Sequence, residues 1–154
     1  MKIQGSHRLD ATRAAVFAAI CDPNTLLAVI PGCREVERVS ENEYVGRISL
    51  RLPGFVGSYR TRVRLAESDP PRCARLEGEV VGAPGSVRGR ASFRLEEADG
   101  GTQLTYDGAA VISGPLARLD GRFAEGLTGS LISQGLRALN ARLERAAERI
   151  EDSA

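Results

Sequence analysis

A change of period after Gly114-Pro115 constrains this chain more than any other feature. Before it, apolar residues recur at every second position in one short segment after another. Beyond it they recur at helical spacing as far as Ile150. Pro115 suits a first helical turn, where its missing amide donor is not needed. A helix from there to Ile150 is about 54 Å long, enough to cross a whole sheet. Leu116, Leu119, Phe123, Leu127 and Leu131 form its first apolar stripe, and Ile132, Leu136, Leu139, Leu143, Ala147 and Ile150 continue it on a drifting face.

The segments before the change read as strands. Lys2 to Leu9 alternate, with Ile3, Gly5, His7 and Leu9 on one side. Asp10 is the expected cap of a short helix from Ala11 to about Cys21, whose apolar side is Val16, Phe17 and Ile20. Asp22-Pro23-Asn24 breaks it, and a second short helix from about Asn24 to Ile30 ends at Pro31-Gly32. Six further strands are expected at Arg34 to Val39, Tyr44 to Leu52, Ser58 to Ala66, Cys73 to Val81, Val87 to Leu95 and Thr102 to Ile112. Pro53-Gly54, Asp69-Pro70-Pro71, Gly82 to Gly85 and Ala98-Asp99-Gly100-Gly101 separate the later ones, the last being a strong hairpin signal. Short turns make neighbours antiparallel, and clean alternation leaves one face wet and one covered. The expected fold is α+β: a seven-stranded curved antiparallel sheet, two short helices after the first strand, and the long C-terminal helix over the concave face.

Size and charge narrow the partners. The 154 residues fit one domain spanning 1–154. A net charge of +1, with Arg and acidic residues interspersed, argues against nucleic acid as a partner. Cys21, Cys33 and Cys73 make an odd, widely spaced set beside a single histidine, which suits reduced thiols in a cytoplasm and no metal site. No cofactor is indicated. Met1 to Ser6 contain no apolar run, so no signal peptide is expected, and no stretch approaches a membrane span of about 18 apolar residues.

Two features speak against a solidly filled interior. The last helix carries Gly121, Gly126, Gly129 and Gly135, and each interior glycine costs about 1 kcal/mol relative to alanine. The inward strand positions mix small residues (Gly46, Gly78, Gly89, Ala91, Gly108, Ala110) with the polar-tipped His7, Tyr44, Tyr59, Thr61 and Tyr106. Apolar walls with a few convergent polar groups describe a small-molecule site. The candidate ligand-binding residues are His7, Tyr44, Tyr59, Thr61, Leu76, Phe93, Tyr106, Phe123 and Leu127. Strand glycines also mark bends that let a sheet curl, so a filled core stays open as the alternative.

The local sequence adds a resemblance. Asp22-Pro23-Asn24, Ile30-Pro31-Gly32-Cys33, Asp69-Pro70-Pro71, Leu76-Glu77-Gly78-Glu79, the run from Gly100 to Tyr106 and Gly121-Arg122-Phe123 together resemble the G-subunit family of carbon monoxide dehydrogenase, within the START/Bet v1-like helix-grip superfamily. The resemblance covers nearly the whole chain. It implies a non-catalytic accessory protein serving a molybdenum hydroxylase of the carbon monoxide dehydrogenase kind, with an apolar ligand such as a quinone or lipid. It also implies peripheral membrane contact, which many members make through a tail beyond the helix. This chain stops at Ala154, so no anchor of its own is expected. The end of its helix, with Arg137, Arg142, Arg145 and Arg149 among Glu144, Glu148 and Glu151, suits water or a partner helix better than an anionic membrane.

No nucleophile elbow or phosphate-binding loop is present, since Gly54-Phe55-Val56-Gly57 lacks the Lys and Ser/Thr. Cys33 beside Arg34 is either an activated thiol or a small buried hydrophobe. Three functions stay open: a carrier of an apolar ligand, an aromatase/cyclase-like enzyme using His7 or a tyrosine as acid or base, and an adaptor that docks a partner helix on Leu136, Leu139, Leu143 and Ile150.

Overall fold

A computed structural model describes residues 1–52 and 56–153. In chain order it contains β1 (Lys2–Leu9), α1 (Arg13–Ile20), α2 (Pro23–Val29), β2 (Cys33–Ser40), β3 (Glu43–Leu50), β4 (Gly57–Asp69), β5 (Cys73–Gly82), β6 (Gly85–Ala98), β7 (Gly101–Ser113), a 3₁₀ turn (Gly114–Arg118) and α3 (Gly121–Ser153). The strands form one antiparallel sheet in the order β1-β7-β6-β5-β4-β3-β2. The helix-grip expectation of seven strands, two short helices and a long last helix is therefore met. The expected break at Pro53-Gly54 lies outside the described residues.

Boundaries differ where local chemistry outweighs pattern. The N-cap of α1 is Thr12, whose hydroxyl accepts from the Ala15 amide at 3.2 Å. Asp10 is used otherwise. Its amide donates to the Asn140 side chain at 2.8 Å and its carboxylate accepts from Asn140 Nδ2 at 3.2 Å, which pins the end of β1 to α3. Asp22 caps α2, accepting from the Asn24 amide at 2.9 Å, so that Pro23 occupies the first turn. β6 and β7 run on to their hairpin, where Asp99 and Gly100 have φ of 47° and 81°. Both central residues at positive φ give the turn whose twist matches that of the strands.

The last helix does not start at Pro115. Gly114–Arg118 is a 3₁₀ turn, Leu119 is extended, and Asp120 accepts from the amides of Arg122 and Phe123 at 2.9 and 3.2 Å to begin α3. This break changes the apolar stripe. Ala124 becomes the buried residue of the first turns at 1% exposure, and Phe123 is 46% exposed.

The core falls into two separate clusters. One joins Leu9, Val16, Phe17, Val29, Ala74, Phe93, Leu95 and Leu104 to Leu139 and Leu143 of α3, with the Phe17 and Phe93 rings tilted at 5.8 Å. The other, at the opposite end of the sheet, is Tyr59 and Leu116 with Leu50, Leu52, Val80, Ile112, Leu119 and Leu127 packed around them.

Candidate ligand-binding site

Strand register shows what lies between the two clusters. One row of inward residues crosses four strands as Val63, Gly78, Gly89 and Ala110. The next row is Leu65, Leu76, Ala91, Gly108 and Ile3. On the other side runs Thr61, Val80, Val87 and Ile112, of which Val80 and Ile112 pack against the second cluster, as Leu65 and Leu76 of the preceding row pack against the first. All of these are only half-buried, although they face α3, and so are Leu131 and Ile132 on the helix. Inward residues of a filled core would be close to fully buried.

The glycines divide into two kinds. A Cβ on Gly89 would stand 2.7 Å from the Ala109 carbonyl oxygen and 3.0 Å from the Ala110 Cβ, and one on Gly108 2.9 Å from the Arg90 carbonyl oxygen. Those glycines are required by close strand approach. On α3, a Cβ at Gly121, Gly126 or Gly129 would meet nothing within 4 Å. Gly135 is different again, with the Val29 carbonyl oxygen at 3.6 Å and Pro31 Cδ at 3.8 Å from its would-be Cβ, where α2 comes close to the helix. In the first half of α3, Gly121 and Gly126 thus lie on the exposed side and Gly129 is half-buried, while the inward side of the same turns carries the buried Ala124 and the half-buried Leu127, which packs against the second cluster.

A recess of about 560 Å³ opens beside that first half, with Lys2, Ile3 and Tyr106 on the sheet side and Glu125, Gly126 and Gly129 on the helix side. A larger depression of about 970 Å³ lies on the outer face of the sheet and includes Gln4, Ser6, Arg75, Arg94, Thr105 and Asp107. Its polar groups are partly spent on one another, Ser92 on Asp107 at 2.7 Å and Arg75 on Glu67 at 3.2 Å. That outer depression is the saddle of a twisted, charge-paired surface. The recess, in contrast, borders inward residues.

The candidate residues distribute over this frame. Tyr59 and Leu127 meet in the second cluster, while Phe93 belongs to the first and Leu76 and Tyr106 pack against it. Thr61 lies half-buried in the row beside Val80. Tyr106 crosses Gly5, where a Cβ would sit 2.6 Å from its hydroxyl oxygen, and borders the recess. His7 is half-buried in register with Leu104, and its imidazole makes no hydrogen bond to any described residue. Tyr44 is tied elsewhere: its hydroxyl donates to the Cys21 carbonyl at 2.8 Å, at the end of α1. Phe123 stands apart at 46% exposure. Ile3, Arg122, Glu125, Gly126 and Gly129 border the recess without having been candidates; only the unexplained helix glycines signalled it.

Tyr59 has the least comfortable polar group of the set. It is 2% exposed, and its hydroxyl has no hydrogen-bond partner among the described residues. Burial holds its pKa above the ordinary tyrosine value, and burial does the same for Tyr44, where the neighbouring Cys21 adds to it. Burial also raises the thiols of Cys21 and Cys33. The Cys33 thiol donates to the Glu35 carbonyl at 3.6 Å, so it is a hydrogen-bonded packing group and not a thiolate activated by Arg34. Among the described residues no cluster of His, Cys, Asp and Glu is arranged to hold a metal ion, and no helix is long and apolar enough to cross a membrane.

Comparison with known proteins agrees with this architecture. A conserved protein from Geobacillus kaustophilus superimposes with a TM-score of 0.91 at 26% identity, covering 95% of this chain and 97% of that one. A protein from Chromobacterium violaceum gives a TM-score of 0.72 at 17% identity over 93% and 97% of the two chains. A START superfamily protein from Mycobacterium smegmatis gives 0.71 at 12% identity over 94% and 98%. No curated protein sequence matches. The profile of CoxG, the G-subunit family of carbon monoxide dehydrogenase, matches residues 5–144, and the chain belongs to that family.

Proposed function

We propose that the protein is a non-catalytic accessory carrier that holds an apolar small molecule between its sheet and α3. One observation carries this reading: between the two buried clusters the inward row Val63, Gly78, Gly89 and Ala110 is small and only half-buried, although it lies on the face of the sheet that α3 covers. Filling that space with an apolar molecule removes surface from water at about 25 cal/mol per Å². The ligand proposed is a quinone or lipid, and the enzyme served is a molybdenum hydroxylase of the carbon monoxide dehydrogenase kind, in keeping with the family. The adaptor alternative loses most of its surface. Leu139 and Leu143 are 3% and 8% exposed and belong to the core, and Leu136 packs half-buried against it, which leaves Ile150, at 73%, as the exposed residue of that set.

The test is mass spectrometry of an organic extract of protein purified without detergent, before and after incubation with menaquinone, ubiquinone and a phospholipid. A stoichiometric isoprenoid or lipid supports the carrier. A blank in every extract, including those after incubation, overturns it.

A further inference from the structure

We propose that the ligand passes in and out through the gap between β1 and the first half of α3, over Gly126 and Gly129; this rests on the carrier reading above. The recess at that gap is open to solvent and reaches the half-buried Ile3, Tyr106 and Gly129. Ile3 and Tyr106 on its wall are inward residues, and Ile3 stands in register with Gly108, at the edge of the row that continues through Ala91 and Leu76.

Among the described residues the other margins of α3 carry packing contacts, Leu127 against the cluster of Tyr59 and Leu116 among them. Leu139 and Leu143 lock its second half into the core, Asp10 and Asn140 fasten it to the end of β1, and Gly135 brings it against Val29 and Pro31. At its start, Ala124 is 1% exposed and the preceding Leu116 is 2% exposed. Across the gap itself the bridging contacts are weak. The Lys2 amide reaches Glu125 Oε1 at 3.4 Å, and the Thr128 hydroxyl reaches the Met1 sulfur at 3.7 Å, although it also donates to the Ala124 carbonyl at 2.8 Å. Bonds at those lengths contribute little, so separating α3 from β1 here costs little. Gly126 and Gly129 themselves put no side chain into the recess.

A passage makes a kinetic signature distinct from that of a lining residue. Narrowing it slows arrival and departure together and leaves the equilibrium constant where it was. The experiment is stopped-flow binding of cis-parinaric acid, a fatty acid that fluoresces in apolar surroundings, to the full chain and to the double variant Gly126→Leu, Gly129→Leu. Both substitutions raise helix propensity and their Cβ atoms have free space, so the variant keeps its fold. The expected result is a fall of about tenfold or more in both rate constants, with Kd unchanged within about twofold. Glu125→Ala, which removes the Lys2 bridge, is expected to raise both rates, and Val111→Leu on the outer face to change neither. Unaltered rates in the double variant overturn the route. A weakened Kd with only the departure rate raised also overturns it, because the glycines would then line the bound ligand. Failure of the unaltered protein to bind any of the quinone, phospholipid and fatty-acid probes overturns the carrier reading itself.

Discussion

At the scale of single residues, two tyrosines that look alike in the sequence have opposite roles. Tyr44 and Tyr59 both sit at inward positions of strands and are 7% and 2% exposed. The first donates to a helix-end carbonyl; the second has no acceptor among the described residues. Removing the same oxygen therefore has opposite signs. Tyr44→Phe is expected to destabilise by about 1–2 kcal/mol, since it orphans the Cys21 carbonyl, and Tyr59→Phe to stabilise by about 1 kcal/mol by deleting an unsatisfied buried group. Calorimetric midpoints of the two variants check this. The alkaline limb follows from the raised pKa values of both. A phenol whose folded pKa lies above its unfolded one contributes stability that is full below the unfolded value, about pH 10, and is lost as pH rises through the folded one. Thermal midpoints should fall above that pH, and less so in Tyr59→Phe, with ultraviolet tyrosine titration locating the transition. None of this is legible in the sequence, because alternation tells which side a residue faces but not what its hydroxyl meets.

At the scale of elements, the glycines give the sharpest separation. Gly89 is held between the Ala109 carbonyl and Ala110, whereas Gly129 faces open space. Gly89→Ala is expected to cost about 1–3 kcal/mol through overpacking. Gly129→Ala is expected to gain about 1 kcal/mol through helix propensity. Denaturant midpoints at unchanged m-value test the pair; equal signs for both would remove the distinction. The pattern of small residues is visible in the sequence, and with it both readings, curvature and open volume. The strand glycines Gly89 and Gly108 are required by close approach of neighbouring strands, and a side chain at Gly121, Gly126 or Gly129 would meet nothing within 4 Å. Seven strands are readable because each alternates between clear turn signals, as at Asp99-Gly100. The start of α3 is not, because helical periodicity continues across Leu119 while the backbone breaks there, and the cap at Asp120 is what turns Phe123 outward. The end of α3 makes a further prediction. Residues 145–152 are all exposed, and the family match stops at 144. Truncation after Glu144 is expected to change stability by no more than about 0.5 kcal/mol. Leu139→Ala, in contrast, is expected to cost about 2–5 kcal/mol.

At the scale of the whole molecule, the buried residues fall into two separate clusters with half-buried inward positions between them. A protein that only needed to fold would join its two clusters into one core, since contiguous burial is the main source of stability. In the proposed carrier, keeping them apart leaves the half-buried row through Val63 to line the ligand space. The architecture is legible in advance because it follows from periodicity and turns. The site is legible only as a set of inward residues. Register decides which of them meet: Tyr59 with Leu127 at one end, Phe93 with Phe17 at the other, and small residues between. The space between the clusters is the central claim, and it is testable without knowing the ligand, because a dry apolar void takes up xenon. The measurement is a methyl chemical-shift map of the protein under xenon pressure. The account predicts shifts at Val63, Ala91, Ala110 and Leu131, with Leu9 and Leu95 unmoved. Shifts confined to the exposed methyls of Val56, Val111 and Ile150, or none at all, would contradict it.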